Sequence, residues 1–111
     1  MRSDRNRLED ILLSINKIQQ AIPPNEAAFK QDEMLQVWFI HHFQIIGEAA
    51  NKLDRTTREK ASDIPWAQII AMRNILVHAY FGINTDIVWS TAIQFLPQLK
   101  KEIEKLLSQI E

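Results

Sequence analysis

Residues 34–47, MLQVWFIHHFQIIG, form a run that is apolar on nearly every face of a helix. A helix that is apolar all round is either central to a domain or shared with a partner chain. A chain of 111 residues has little room to bury every side of one helix. The run therefore predicts a homodimer, in which one face of this helix packs within the chain and another packs across a two-fold axis.

Stripes of apolar residues at helical spacing lie on both sides of this run, and only two glycines and four prolines interrupt the chain. They predict helices over about 4–22, 31–53, 65–81 and 85–110, with a short helical piece in the polar connection between the second and third. Pro97 lies inside the last helix and should kink it, because proline removes a hydrogen bond to the carbonyl of Ile93. We therefore expect an all-α fold: an up-and-down bundle of four main helices with a short extra helix, forming one domain over residues 1–111.

Composition and charge narrow the possible functions. The chain has no cysteine, so disulfides and thiolate zinc sites are excluded. No apolar run reaches the roughly 18 residues of a membrane span, and the first residues lead into an amphipathic helix, so we expect a cytoplasmic protein without membrane contact. A net charge of −1 argues against generic nucleic-acid binding, which needs a strongly basic surface. Five basic residues near the middle of the chain still allow a local positive site: Lys52, Arg55, Arg58, Lys60 and Arg73. A solvated linker would explain most of these charges.

Arg73 occupies a position that the third helix would otherwise fill with an apolar residue. An unpaired guanidinium at a buried face is costly, so Arg73 should have a carboxylate partner or an anionic ligand. Glu48 on the preceding helix is one candidate partner. Glu48 could equally be an exposed residue that pairs with Lys52, four positions away, and spacing alone does not decide between the two.

His78 follows Arg73 by five residues, which is about 140° around an ideal helix. Three geometries could bring both to one ligand: a loosened last turn, a ligand that straddles the helix end, or a two-fold axis that contributes one residue from each chain. Arginine and histidine together suit phosphate chemistry, since Arg73 would neutralise a phosphoryl oxygen while His78 moves a proton. In RNA the 2′-hydroxyl is a built-in nucleophile, so no metal-bound water and no cofactor is required. Asn74 lies on the face of His78 and could orient the imidazole.

Other candidate groups are weaker. His41 and His42 are adjacent, so on a helix they diverge by about 100° and cannot chelate one metal together; we predict core-edge residues and no metal site. The three tryptophans fall in apolar stripes at helical spacing, which predicts core packing rather than a base-stacking platform: Trp38, Trp66 and Trp89.

The stretch Met72–Gly82 resembles the Arg-x4-His-x-Tyr signature of the HepT toxins, a branch of the HEPN superfamily of small helical ribonucleases. Here the signature reads Arg73, His78 and Tyr80. The resemblance extends through further segments in the family's order and spacing, and covers the chain from about Gln31 onward: 45–50 (IIGEAA), 64–66 (IPW), 72–74 (MRN) and 86–89 (DIVW).

This resemblance implies the toxin of a toxin–antitoxin module that cleaves RNA without a metal. Arg73 and His78 would be the catalytic pair at a dimer cleft, with Asn74 and Glu48 in supporting positions. Tyr80 matches the tyrosine to which the partner antitoxin, a nucleotidyltransferase of the MntA type, adds AMP. The added negative charge, two residues from His78, would block the cleft and repel RNA.

Two other classes of function are compatible with the residues alone. One is a non-catalytic helical dimer that binds a nucleotide or a partner protein through the Arg73 cleft, which the net charge of −1 mildly favours. The other is a purely structural bundle, which leaves Arg73 unexplained.

Overall fold

The computed structural model describes residues 3–77 and 84–110, and for residues 73–77 it describes the backbone alone. Within these ranges the chain is helical and has no strand, which confirms the predicted all-α class. The elements are α1 (Asp4–Gln20), α2 (Glu26–Lys30), α3 (Glu33–Asn51), α4 (Arg55–Glu59), α5 (Trp66–Val77), α6 (Thr85–Ser90), a π-helical segment (Thr91–Phe95) and α7 (Leu96–Gln109). The predicted short extra helix is α4, and a further short helix, α2, precedes α3. None of the helices in the described ranges is long and apolar enough to cross a membrane.

The central helix is α3, which packs against both α1 and α5. It begins where Asp32 caps it, with the carboxylate accepting the Leu35 N–H at 3.0 Å. One face of α3 is fully buried in the core: Phe39, Phe43, Ile46 and Ala50. From α1, a stripe at helical spacing packs into the same core: Leu8, Ile11, Ile15 and Ile18.

The last helix is interrupted near Pro97, although not in the predicted form. The Asn84 side chain caps α6 by accepting the Ile87 N–H at 3.1 Å. A π-helical turn then intervenes, in which the Leu96 N–H bonds to the Thr91 carbonyl five residues back. Pro97 falls in the first turn of α7, where its missing N–H is tolerated. In place of a kink inside one helix, the structure has a π-helical turn just before the proline.

The connection between α3 and α5 contains the predicted short helical piece, α4, and is docked against the bundle, which the sequence did not indicate. The Asp4 carboxylate accepts hydrogen bonds from the Asp54 N–H at 3.1 Å and from the Thr57 hydroxyl at 2.5 Å. At the other side, the Trp66 indole N–H donates to the carbonyls of Arg58 and Ala61 at 3.2 and 3.1 Å. These contacts hold α4 between the start of α1 and the start of α5.

Candidate active site

Helix α5 carries the first residue of the signature, Arg73, and the neighbouring Asn74. It begins at Trp66, and the Pro65 carbonyl just before it accepts the Ile69 N–H at 3.1 Å. Arg73 and Asn74 lie in the last part of α5, and their side chains are outside the described residues. His78 and Tyr80 also lie outside the described residues. The structure therefore fixes the helix that carries Arg73 and Asn74 and the packing of that helix against α3, and the roles of these four residues remain predictions.

Glu48 lies on the exposed side of α3 and forms an ion pair with Lys52, with Nζ 3.6 Å from Oε1. Both side chains are more than half exposed, so this pair contributes little to stability. The interpretation of Glu48 as a surface partner of Lys52 is thereby confirmed. A role for Glu48 beside Arg73 remains a prediction, because the Arg73 side chain lies outside the described residues.

His41 and His42 occupy the edge of the core, as predicted. His42 is buried, and its Nδ1 lies 3.0 Å from the Ser14 hydroxyl of α1, while His41 is exposed. Within the described part of the chain no cluster of three or more histidine or acidic side chains could hold a metal ion. The buried Ser14–His42 pair was missed in the sequence, since the two residues are 28 positions apart and only the α1–α3 contact joins them.

Burial lowers the pKa of His42 below its ordinary value of 6.5, and the neighbouring His41 and Lys17 charges lower it further. The folded state therefore favours the neutral imidazole, and below pH 6.5 the unfolded chain binds more protons than the folded one. The contribution of neutral His42 to the free energy of unfolding is therefore complete above pH 6.5, and it is lost as the pH falls through the lowered pKa.

We expect His42→Asn to weaken the decrease in melting temperature between about pH 7 and about pH 5, because it removes the buried titrating group. Thermal unfolding by circular dichroism measures this. His41→Asn, a change at the exposed neighbour, is the control and should retain most of the decrease. Identical pH profiles for the wild type and His42→Asn would contradict this assignment.

A second face of α3 is apolar and exposed. Met34, Val37 and Trp38 are 84%, 60% and 41% exposed. Val37 and Trp38 follow Met34 by three and four residues, so the three share one side of the helix. His41 extends the same stripe. The prediction that all three tryptophans are core was therefore wrong for Trp38, whereas Trp66 is buried and Trp89 packs against Phe29 with ring centroids 5.5 Å apart. A contiguous exposed apolar stripe of this kind marks an interaction surface, and we call it the α3 stripe.

Comparison with known proteins identifies the family of this chain. The family described as "Ribonuclease HepT-like" matches residues 11–106, which includes α3, α5 and the whole signature. This match assigns the helical bundle to a class of ribonucleases. The chain belongs to the HepT-like ribonuclease family.

Individual relatives agree. A Thermococcus cleftensis protein named probable ribonuclease HepT is 34% identical over 108 residues, which cover 95% of this chain and 96% of that protein. A Methanocaldococcus jannaschii protein named as a candidate RNase is 37% identical over 100 residues, covering 87% and 90% of the two chains. Another from Caldanaerobacter subterraneus, also named as a candidate RNase, is 40% identical over 81 residues, covering 73% and 72%. No solved structure matches.

Proposed function

We propose that this protein is the toxin of a toxin–antitoxin system and acts in the cytoplasm as a metal-independent endoribonuclease. We further propose that residues 1–111 form one domain and that its working form is a homodimer, or a higher assembly of dimers. The proposal rests on one observation: a ribonuclease family match over residues 11–106 that includes Arg73, His78 and Tyr80 in the signature spacing.

The proposed chemistry assigns different tasks to the two catalytic residues. Arg73 binds the scissile phosphate and neutralises the charge that develops on its oxygens. His78 moves a proton during attack of the ribose 2′-hydroxyl on the phosphorus, with the 5′-oxygen of the next nucleotide as the leaving group. Asn74 orients the His78 ring, and Glu48 is a supporting residue whose task is not assigned. Because the nucleophile belongs to the substrate, purified protein should cleave RNA in excess EDTA.

The α3 stripe supports the proposed dimer. Two copies that pair along α3 would cover Met34, Val37 and Trp38 on both chains, removing exposed apolar area from water. Since α5 packs directly against α3 within each chain, the two signature helices would lie on either side of this interface. The dimer would therefore form a cleft to which both chains contribute.

Tyr80 is the proposed control point. A partner nucleotidyltransferase would transfer AMP from ATP to the Tyr80 hydroxyl, with pyrophosphate as the leaving group. This would silence the toxin, since the added phosphate charge repels RNA and the bulk of the nucleotide fills the cleft. After incubation with such a partner and ATP, intact-mass spectrometry should show AMP on the wild-type chain and none on Tyr80→Phe. The Tyr80→Phe protein should keep cleaving RNA under the same conditions. Equal AMP addition to both proteins would reject Tyr80 as the acceptor.

A further inference from the structure

A groove of about 730 Å³ lies where α4 meets α5, and nothing above assigns it a role. We call it the α4–α5 groove. Its lining combines two arginines and other polar side chains with a set of apolar residues: Arg55, Arg58, Glu59, Ser62, Trp66, Ala67, Ile70 and Ala71. It exists because α4 is docked by the Asp4 and Trp66 hydrogen bonds instead of extending into solvent.

Both arginines of the groove have donors available for an anion. The Nε of Arg55 bonds to Glu59 at 3.0 Å, in an exposed pair that is weak by itself. The Nε of Arg58 is buried and has no hydrogen-bond partner among the residues that the structure describes. The buried Nε is out of reach of a ligand in the groove, so a phosphate would bind the outer nitrogens of these guanidinium groups, and phosphate is the kind of acceptor that arginine binds best.

The rest of the groove is suited to a nucleobase. Ala67, Ile70 and Ala71 are small or apolar and lie on one side of α5, next to the anchored ring of Trp66. Sites that bind single-stranded nucleic acid with little dependence on its sequence combine a positively charged groove with side chains against which bases pack, usually aromatic ones, and here an aliphatic surface takes that place. The charge balance agrees: residues 52–73 hold five basic side chains and three carboxylates, although the whole chain has a net charge of −1.

The groove also leads toward the signature. Positions 73 and 74 follow Ile70 by three and four residues, and position 74 follows Ala71 by three. Residues at this spacing lie on the same side of a helix, so the groove side of α5 continues into positions 73 and 74. A strand that lies in the groove would therefore run along the side of α5 on which positions 73 and 74 follow.

We propose that the α4–α5 groove is a binding subsite for single-stranded RNA, which holds a nucleotide next to the scissile phosphate. Arg55 and Arg58 bind its phosphate, and its base lies against the Ala67–Ile70–Ala71 surface. This subsite rests on the proposed function for its position along the substrate, while its ability to bind RNA can be measured without any cleavage.

Fluorescence anisotropy with a short, labelled single-stranded RNA tests the proposal, in a His78→Ala background that leaves the RNA intact. Arg55→Gln plus Arg58→Gln should raise the dissociation constant by about tenfold or more and lower the salt dependence by roughly 0.7 in log–log slope for each phosphate that is no longer neutralised. Ala71→Leu should weaken binding several-fold with an unchanged salt slope, because it narrows the groove without altering charge. Lys101→Gln, at an exposed cation on α7, is the control and should bind like the parent protein.

Arg55→Gln alone keeps the test valid if the half-buried Arg58 is needed for folding, since the Arg55 side chain is 90% exposed. Groove variants that bind RNA with the parent affinity and salt slope would overturn the proposal, even if they lose association with a partner nucleotidyltransferase. If they also cleave RNA normally with His78 restored, while His78→Ala does not cleave, the subsite is wrong and the proposed function stands. If the wild-type protein cleaves no RNA but the groove variants lose RNA binding, the proposed function is wrong and the subsite stands.

Discussion

Replacing His78 by alanine should lower the rate of RNA cleavage by about 10²–10⁴-fold, the usual contribution of a positioned general acid or base. The loss should appear in the maximal rate more than in the RNA concentration needed for half-saturation, because the imidazole acts in the transition state while Arg73 still binds phosphate. Gel electrophoresis of a labelled RNA under single-turnover conditions measures this rate.

Lys101→Ala provides the matched control, because it removes an exposed cationic side chain from α7, far along the chain from the signature. It should cleave at the wild-type rate. Circular dichroism should show equal helicity for both variants, so that a loss of activity cannot be assigned to unfolding. Cleavage by His78→Ala at the wild-type rate would remove His78 from the catalytic pair.

The second large effect should come from the α3 stripe. Val37→Glu combined with Trp38→Glu places unpaired carboxylates where the proposed dimer buries apolar side chains, and burying unpaired charge is strongly unfavourable. We expect the dimer dissociation constant to rise by at least about 100-fold, and RNA cleavage to fall with the dimer fraction. Analytical ultracentrifugation measures the first quantity and the cleavage assay the second.

Ile93→Glu serves as the comparison, since Ile93 is an exposed apolar residue on a different element, the π-helical segment. It should leave both association and cleavage unchanged. A wild-type chain that sediments as an active monomer, or a stripe variant that remains dimeric, would show that α3 is not the interface.

Local signals in the sequence account for most of the helical architecture. The stripe in α1 and the apolar run in α3 each predicted an element that the structure contains. These signals depend on spacing within one helix, which the order of residues specifies directly. A kink at Pro97 was predicted, but its form, a π-helical turn before the proline, was not, because the missing proline N–H can be accommodated in more than one way.

What the sequence did not reveal depends on contacts between distant segments. Trp38 was predicted to be core because an apolar stripe looks the same whether its own chain or another copy covers it. The Ser14–His42 pair and the docking of Thr57 on Asp4 join residues 28 and 53 positions apart, for which spacing carries no signal. The α4–α5 groove follows from that docking, so it too could not be read from the sequence.

The most direct measurement of the central claim compares two oligonucleotides in excess EDTA: a single-stranded RNA and the same sequence with 2′-deoxyribose at every position. The wild-type protein should cleave the RNA and leave the deoxy strand intact, because the proposed nucleophile is the ribose 2′-hydroxyl and the catalytic groups are the Arg73 and His78 side chains. Cleavage of the deoxy strand, or cleavage of RNA only after a divalent metal is added back, would contradict the proposed mechanism.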